Sequence, residues 1–557
     1  MSIAGTRQHL RPAQQEPASP PETGTPPVGL TPRLWPELAV ISVLALAVRL
    51  VTMLFVSHPG YMDAYYYYHV AENIVRGNGL VEFIAWHYQN HPADLPQPSN
   101  AYWMPLASLV SVPTMWLLGP GFRAAQLGHV LLSALVPGLT YLYARALLGA
   151  RQPARLAALL TIFSGTYFVY WVNTDNFTPF ALAGAGALML MGIGEPRRGR
   201  WWLLALAGAL IAPAHLARAD GILLLLGVPM MAWLHERRLY RAGLAPEAVR
   251  PYVWKAVIAA VALYLLGMLP WLVRNLLVFG RLLPAGGNTP FMREYNELFS
   301  YAFTPQLSSY LSWGLPNIVH SKLEALWLNL IAQLQGTHYY LLPLCLLGAW
   351  QLRREARTWP FAIYFVVLLG AMTLVFTFPG PRGATFHSSS ALLPYYYTTA
   401  AAGLAAAVHL AARRLRHWNV PLATRNFGYM LLGFAAALAI GFGLRNIRDW
   451  NRHLEQYRAI AAVLPAGSER ARVMVADPPG FYYASGRQSL AIPNDGYPAL
   501  VAAAARYGVD YLILEPARPA YLTSLLRGEY TGREFQEIAT AGEARIYRIQ
   551  RAEAGTP

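Results

Sequence analysis

Cysteine is almost missing from this chain. Cys345 stands alone inside an apolar run, which excludes a disulfide framework and a cysteine-based metal centre. Charge is scarce as well: 13% of the 557 residues are charged and 55% are hydrophobic. A soluble globular protein averages about 25% charged residues, so the balance indicates a polytopic membrane protein. Lysine is confined to Lys255 and Lys322, leaving arginine to carry nearly all the positive charge. The net charge of +16 does not make a nucleic-acid binder, because the basic residues form short clusters between apolar runs and not one stripe. No internal repeat is visible, whereas many transporters are built from two related halves.

What is present is a succession of apolar segments. Residues 1–34, rich in Pro, Gln, Thr and Gly, read as a disordered tail. About eleven spans follow, near 37–57, 123–147, 156–172, 178–194, 201–215, 221–235, 255–278, 337–352, 359–378, 391–412 and 427–444. The first lacks a small-residue cleavage signature and reads as a retained span. With a cytoplasmic N-terminus, the inner connections hold Arg151 and Arg155; Arg197, Arg198 and Arg200; and Arg237, Arg238, Arg241, Arg250 and Lys255. They also hold Arg353, Arg354 and Arg357, then Arg413, Arg414, Arg416 and Arg425. The opposite loops are poorer in Arg and Lys for their length, as the positive-inside rule requires. Residues 103–119 then belong to a long outer loop, 58–122, as a helix lying on the membrane surface. A second long outer loop covers 279–336.

Beyond 445 the composition becomes mixed. Residues 472–476 and 509–514 read as strands and 499–507 as a helix, so 445–557 is expected to be a small α/β domain on the outer side. The fold class expected is mainly α: a polytopic membrane domain over 35–444 followed by this domain. Arg-rich, Lys-poor composition with an outer C-terminal domain fits a bacterial inner membrane.

The outer ends of the spans collect the ionisable residues, which near a membrane interior are costly and so point to function. Asp63 lies in Gly60-Tyr61-Met62-Asp63-Ala64-Tyr65-Tyr66-Tyr67-Tyr68-His69, and Asp175 in Asn173-Thr174-Asp175-Asn176. Arg218 and Asp220 fall between the fifth and sixth spans, Arg274 near the end of the seventh, and Arg382 and His387 between the ninth and tenth. Each has a plainer reading. Asp63 and Asp175 could cap helices, Arg218 could simply pair with Asp220, and Arg274 could snorkel to headgroups. His387 could be structural, and the tyrosine run an interfacial belt. Their shared side favours chemistry. Transfer of a sugar from a lipid phosphate needs a base for the acceptor hydroxyl and positive charge for the departing phosphate. Arg218, Arg274 and Arg382 are the candidates for phosphate contact, with Tyr65 and His387 as further substrate-binding candidates.

Two stretches carry a family resemblance: Tyr61-Met62-Asp63-Ala64-Tyr65-Tyr66-Tyr67 through Asn78-Gly79-Leu80, and Ala144-Arg145 through Gly165-Thr166 to Thr174-Asp175-Asn176. The first resembles the first-loop acidic motif of the GT-C superfamily of integral-membrane glycosyltransferases, which use polyprenyl-phosphate-linked sugars. The second is similar to the third-span region of oligosaccharyltransferase catalytic subunits, whose second acidic motif helps hold a divalent metal. The resemblance spans roughly 37–410. It implies a GT-C-like fold and an inverting sugar transfer to a lipid, glycan or protein acceptor. It also implies Asp63 as general base and Asp175 as second acid, the two together holding a divalent cation such as Mg or Mn. The Trp-Trp-Asp-Tyr-Gly acceptor signature of oligosaccharyltransferases is missing; Asn494-Asp495-Gly496-Tyr497 does not replace it. Glu294 and Glu297 lie in an outer loop but lack the context of a third metal-binding acid. The competing expectation is a transporter or lipid flippase, in which the same charges would line a conduit.

Overall fold

The computed structural model describes residues 34–193, 200–241, 243, 246–415, 418–530 and 532–550. The tail over 1–33 and the basic residues Arg197, Arg198 and Arg416 lie outside them. All of the expected apolar segments are helical among the described residues. Among the described residues six helices are long and apolar enough to cross a membrane: Leu34–Phe55, Phe122–Leu148, Ala219–Arg241, Val253–Phe279, Ala356–Leu374 and Val420–Val463. A seventh is reached if the bent pair Arg151–Ile162 and Gly165–Val172 is one span.

The first helix shows how these segments sit. Ile41, Ala45, Arg49 and Thr52 recur once per turn and are buried, while Val40, Val43, Val51, Leu54 and Phe55 are exposed. An apolar exposed face belongs to a helix bathed in lipid. Association then depends on close fit, and small residues supply it. A Cβ on Gly208 would collide with the Ala260 carbonyl, so helices Trp201–Ala217 and Pro246–Phe279 touch backbone to backbone.

The segment expected as one span over 156–172 is broken by 53°. The cause is local. Gly165 has φ +60 and presses on the His338 ring, where a Cβ would come within 2.7 Å, and His338 Nε2 lies 3.0 Å from the Phe163 carbonyl. A histidine from a distant turn thus occupies the break and takes up a carbonyl freed from the helical ladder. The break aims residues 173–176 back towards the first long loop. That loop has its own helices, Met62–Val75 and Leu106–Leu118, the second falling within the 103–119 segment expected to be helical.

The last of the membrane-length helices, Val420–Val463, has 44 residues. At 1.5 Å per residue it is about 66 Å long, twice the thickness of a bilayer core. Its far half carries buried Trp450, Leu454, Tyr457 and Ile460. The strands are β1 (Val81–Glu82), β2 (Ile84–Ala85), β3 (Gln97–Pro98), β4 (Arg472–Val475), β5 (Ser489–Ala491), β6 (Val509–Leu514), β7 (Phe535–Ala541) and β8 (Ala544–Ile549). The main sheet has the order β2-β5-β4-β6-β8-β7. Strands β2, β5, β4 and β6 are parallel, whereas β8 pairs antiparallel with β6 and with β7. The helix expected at 499–507 is Tyr497–Tyr507. Strand β2 comes from the first long loop, pairing Ile84 with Ser489 and Ala85 with Leu490. The C-terminal sheet is therefore completed by the segment that follows the Asp63 helix.

Candidate active site

Two turns from separate parts of the chain are stapled together. Asn173 Nδ2 donates to the Pro59 carbonyl at 2.5 Å, and Thr174 Oγ1 donates to the Ala64 carbonyl at 2.9 Å. These bonds bring Asp175 beside Asp63. Asp63 is the second residue of helix Met62–Val75. The N-cap is Tyr61, which makes no side-chain capping bond, so Asp63 does not cap this helix. One ligand atom each from Asp63, Asp175 and His387 lie within 4.8 Å of one another. Asp175 is buried and accepts from the Tyr61 hydroxyl at 2.6 Å on Oδ2 and from the Asn176 amide at 2.6 Å on Oδ1. Gly60 (φ +89), at the entry to this helix, lies against the Trp450 ring, where a Cβ would come within 2.5 Å.

A cavity of about 450 Å³ opens from this cluster; Asp63, Asn176, Arg218, Asp220, Arg382 and His387 line it. Trp86, Tyr102, Trp103 and Tyr295 form an aromatic wall, and Ile222, Leu223, Leu283 and Met372 an aliphatic one. Arg218 is held from one side: its Nε donates to Asp220 Oδ1 at 3.0 Å and to Ser388 Oγ at 2.9 Å, and Ser388 also bonds Asp220. Its terminal nitrogens make only long contacts, 3.4 Å to Asn176 Oδ1 and 3.5 Å to the Ala384 carbonyl. The Arg218–Asp220 pair is thus real and also leaves the fork facing the cavity. Arg382 lies over the Tyr295 ring at 5.2 Å.

Asn176 joins the parts. Arg218 can only donate, so the Asn176 atom it meets is the amide oxygen. His387 Nδ1, 2.8 Å from that same oxygen, must then carry a proton, which leaves the lone pair on Nε2. Burial, and after it the charge of Arg218, pushes the His387 pKa well below its usual value, so the ring is neutral. Burial raises the Asp63 pKa to about 6, opposed by Arg218. Burial and then the charge of Asp63 raise Asp175 to about 8, opposed by the Tyr61 hydrogen bond. Two enclosed carboxyls this close do not both ionise freely, and the pair keeps one proton near neutrality.

The structure brings Asp63, Asp175, Arg218, Arg382 and His387 together and leaves two candidates elsewhere. The Tyr65 hydroxyl lies 2.7 Å from His58 Nδ1, and its ring rests on Tyr483 at 5.0 Å, outside the cavity. Arg274 donates to the Ser99 carbonyl at 2.7 Å between the Trp271 and Phe279 rings. Glu294 accepts from Asn494 and Glu297 pairs with Arg293, so neither joins the Asp63 cluster. Tyr61, Tyr67, Asn176 and Ser388 were not foreseen as parts of the site. Asn176 adjoins Asp175 in sequence, the one signal that pointed to it.

No protein-family model matches the sequence, and no curated protein does. Among solved structures, ArnT from Cupriavidus metallidurans bound to undecaprenyl phosphate superposes with a TM-score of 0.53 at 14% identity, over 94% of this chain and 99% of that one. The same protein in the apo state gives 0.52 at 14% identity, over 92% and 98%. The archaeal oligosaccharyltransferase AglB from Archaeoglobus fulgidus, in complex with an inhibitory peptide and a dolichol-phosphate, gives 0.48 at 12% identity over 86% and 69%, too remote to argue from. The likeness to ArnT runs the length of both chains. It shows that this chain shares the fold of ArnT.

Proposed function

We propose that this protein is a membrane glycosyltransferase that moves a sugar from a polyprenyl-phosphate donor to an acceptor hydroxyl, with Asp63 as the general base. The observation that carries this reading is the meeting of Asp63 and Asp175 at a cavity that also presents Arg218 and Arg382. The acceptor O–H proton passes to the Asp63 carboxylate. The acceptor oxygen bonds to the anomeric carbon as the bond from that carbon to the phosphate oxygen breaks. The electron pair stays on phosphate, whose charge the Arg218 and Arg382 guanidiniums stabilise. A single displacement of this kind inverts the anomeric centre. Burial raises Asp63 above the ordinary carboxyl range, which makes its carboxylate a stronger base towards the acceptor proton. The aliphatic wall suits the start of the lipid tail and the aromatic wall suits a sugar face.

A divalent cation fits the same group. Two carboxylates with an imidazole nitrogen suit Mn better than Mg, which prefers oxygen donors. Asp63, Asp175 and His387 would hold the ion, Asp175 through a lone pair left over from its bonds to Tyr61 and Asn176. When bound, it supplies positive charge beside the leaving phosphate. A transporter or flippase is less well supported, because its acids would be spaced along a conduit and not gathered at one cavity. In the membrane, we take all of the apolar segments, about eleven, as spans of a bacterial inner membrane. The N-terminus is then cytoplasmic, and the site and the region beyond 445 are extracytoplasmic.

The test is mass spectrometry of lipid-linked sugars and surface glycans from cells with and without the protein. The expected result in its absence is donor accumulation and a product lacking one sugar. Identical profiles would refute the reading.

A further inference from the structure

Arg382 faces the cavity with little to hold it there. Its guanidinium rests on the Tyr295 ring at 5.2 Å, and it makes no hydrogen bond or ion pair among the described residues. Arg218, by contrast, is tied to Asp220 and Ser388. The place of Arg382 is therefore set by its backbone.

That backbone is unusual. Gly380–Ala384 form one wide helical turn, in which the Ala384 amide reaches the Pro379 carbonyl at 3.2 Å. Gly383 sits inside it at φ +129, a region that favours glycine. A lone turn of this kind persists only where its surroundings hold it.

One side chain touches it before, within and after. Asn329, fully buried on helix Leu315–Leu334, donates from Nδ2 to the Met372 carbonyl at 3.0 Å. Its Oδ1 accepts from Thr385 Oγ1 at 2.6 Å. A carbonyl can only accept, so the amide stands with nitrogen towards Met372 and oxygen towards Thr385. Between these bonds it presses on Gly380, where a Cβ would come within 2.6 Å of Oδ1. The same helix adds an outer hold, with Lys322 Nζ donating to the Leu374 carbonyl at 3.0 Å and to Thr377 Oγ1.

Packing alone does not call for an amide at this position. Its neighbours on the buried face are Ala325 and Ala332, and a buried amide is costly unless both of its ends are bonded. Here both ends are spent on the segment that carries Arg382.

We infer that Asn329 is a positioning residue, holding the 380–384 turn so that Arg382 meets the leaving phosphate. The phosphate role rests on the glycosyltransferase reading; the hold on the turn does not.

Two measurements on the full-length protein in micelles test this. In Asn329→Leu, hydrogen–deuterium exchange over 376–386 should rise at least about tenfold, with exchange over 62–75 unchanged. Affinity for undecaprenyl phosphate is compared in Asn329→Leu, Arg382→Gln and the double variant. Each single change should weaken binding about tenfold, and the two together no more than either, because Asn329 acts through Arg382. A residue that only supports the fold would give the product, about a hundredfold. If Asn329→Leu does not fold, Thr385→Val, which deletes the hydroxyl and keeps the shape, takes its place. Unchanged exchange would overturn the inference, as would multiplied losses in the double variant. Wild-type protein that fails to bind undecaprenyl phosphate removes the glycosyltransferase reading and the phosphate role with it. The exchange result then decides the hold on the turn alone.

Discussion

Two pairs of acids with one buried and one half-buried member, Asp175 with Asp63 and Glu515 with Asp477, have different fates. Asp63 and Asp175 meet beside the cavity, with Asp63 facing into it. Asp477 and Glu515 lie at the ends of the neighbouring strands β4 and β6, where their carboxylates are already committed. Asp477 accepts from the Gly480 amide at 3.0 Å and so caps helix Pro478–Ser485. Glu515 accepts from Gln456 and from the Tyr457 hydroxyl, each at 3.3 Å. Burial pushes Asp477 up to about 7, and burial followed by the charge of Asp477 does the same to Glu515. A raised carboxyl pKa therefore does not by itself identify a site here. Access to a cavity and a cation beside it separate the first pair from the second.

The largest effect expected is from Asp63→Asn, which keeps the size and removes the base. Sugar transfer in proteoliposomes should fall 10²- to 10⁴-fold, whereas Asp477→Asn, still able to cap its helix, should stay near the wild-type rate. Equal losses in both would erase the distinction between the pairs. Next comes Arg218→Gln. Transfer should fall at least about tenfold through weaker phosphate contact. The acid limb of kcat/KM against pH, set by ionisation of Asp63 near pH 6, should also move to higher pH, because Arg218 holds that pKa down. A limb unmoved, or moved to lower pH, would detach Arg218 from Asp63. His387→Ala should weaken Mn(II) binding about tenfold, read by electron paramagnetic resonance of the full chain. Binding should strengthen as pH rises above neutrality and the proton shared by Asp63 and Asp175 leaves.

The smallest effect concerns the second pair. An acid whose pKa is raised on folding contributes stability that is complete below its unfolded value, near 4, and lost as pH rises through the folded value, near 7. Glu515→Gln should therefore raise the melting temperature by about 2 °C at pH 8 and lose that advantage at pH 5. A larger gain at pH 5 than at pH 8 would reverse the sign and refute the burial account.

Some of the site was legible in advance for a physical reason. Carboxylates and guanidiniums beside apolar spans are expensive, so Asp63, Asp175, Arg218, Arg382 and His387 stood out without any knowledge of their neighbours. Direction was not legible. Successive residues on a helix point about 100° apart. The tyrosine run therefore splits: Tyr67 lines the cavity, Tyr65 meets Tyr483, Tyr66 packs on Trp103 and Tyr68 on Phe122. Arg274 lies near a span end, and the same freedom of direction carries its side chain to the Ser99 carbonyl.

By itself the sequence determined the membrane class, the positions of the apolar helices and the set of costly charges, because each follows from residues close together in the chain. Only the tertiary structure decided that the turns at 63 and 175 meet a histidine at 387, and that residues 84 and 85 join a sheet by pairing with residues 489 and 490. Such meetings depend on which faces pack together and where a span breaks, as at Gly165 against His338. Those choices come from shape and from backbone hydrogen bonds between distant segments, which no local pattern of residue types encodes.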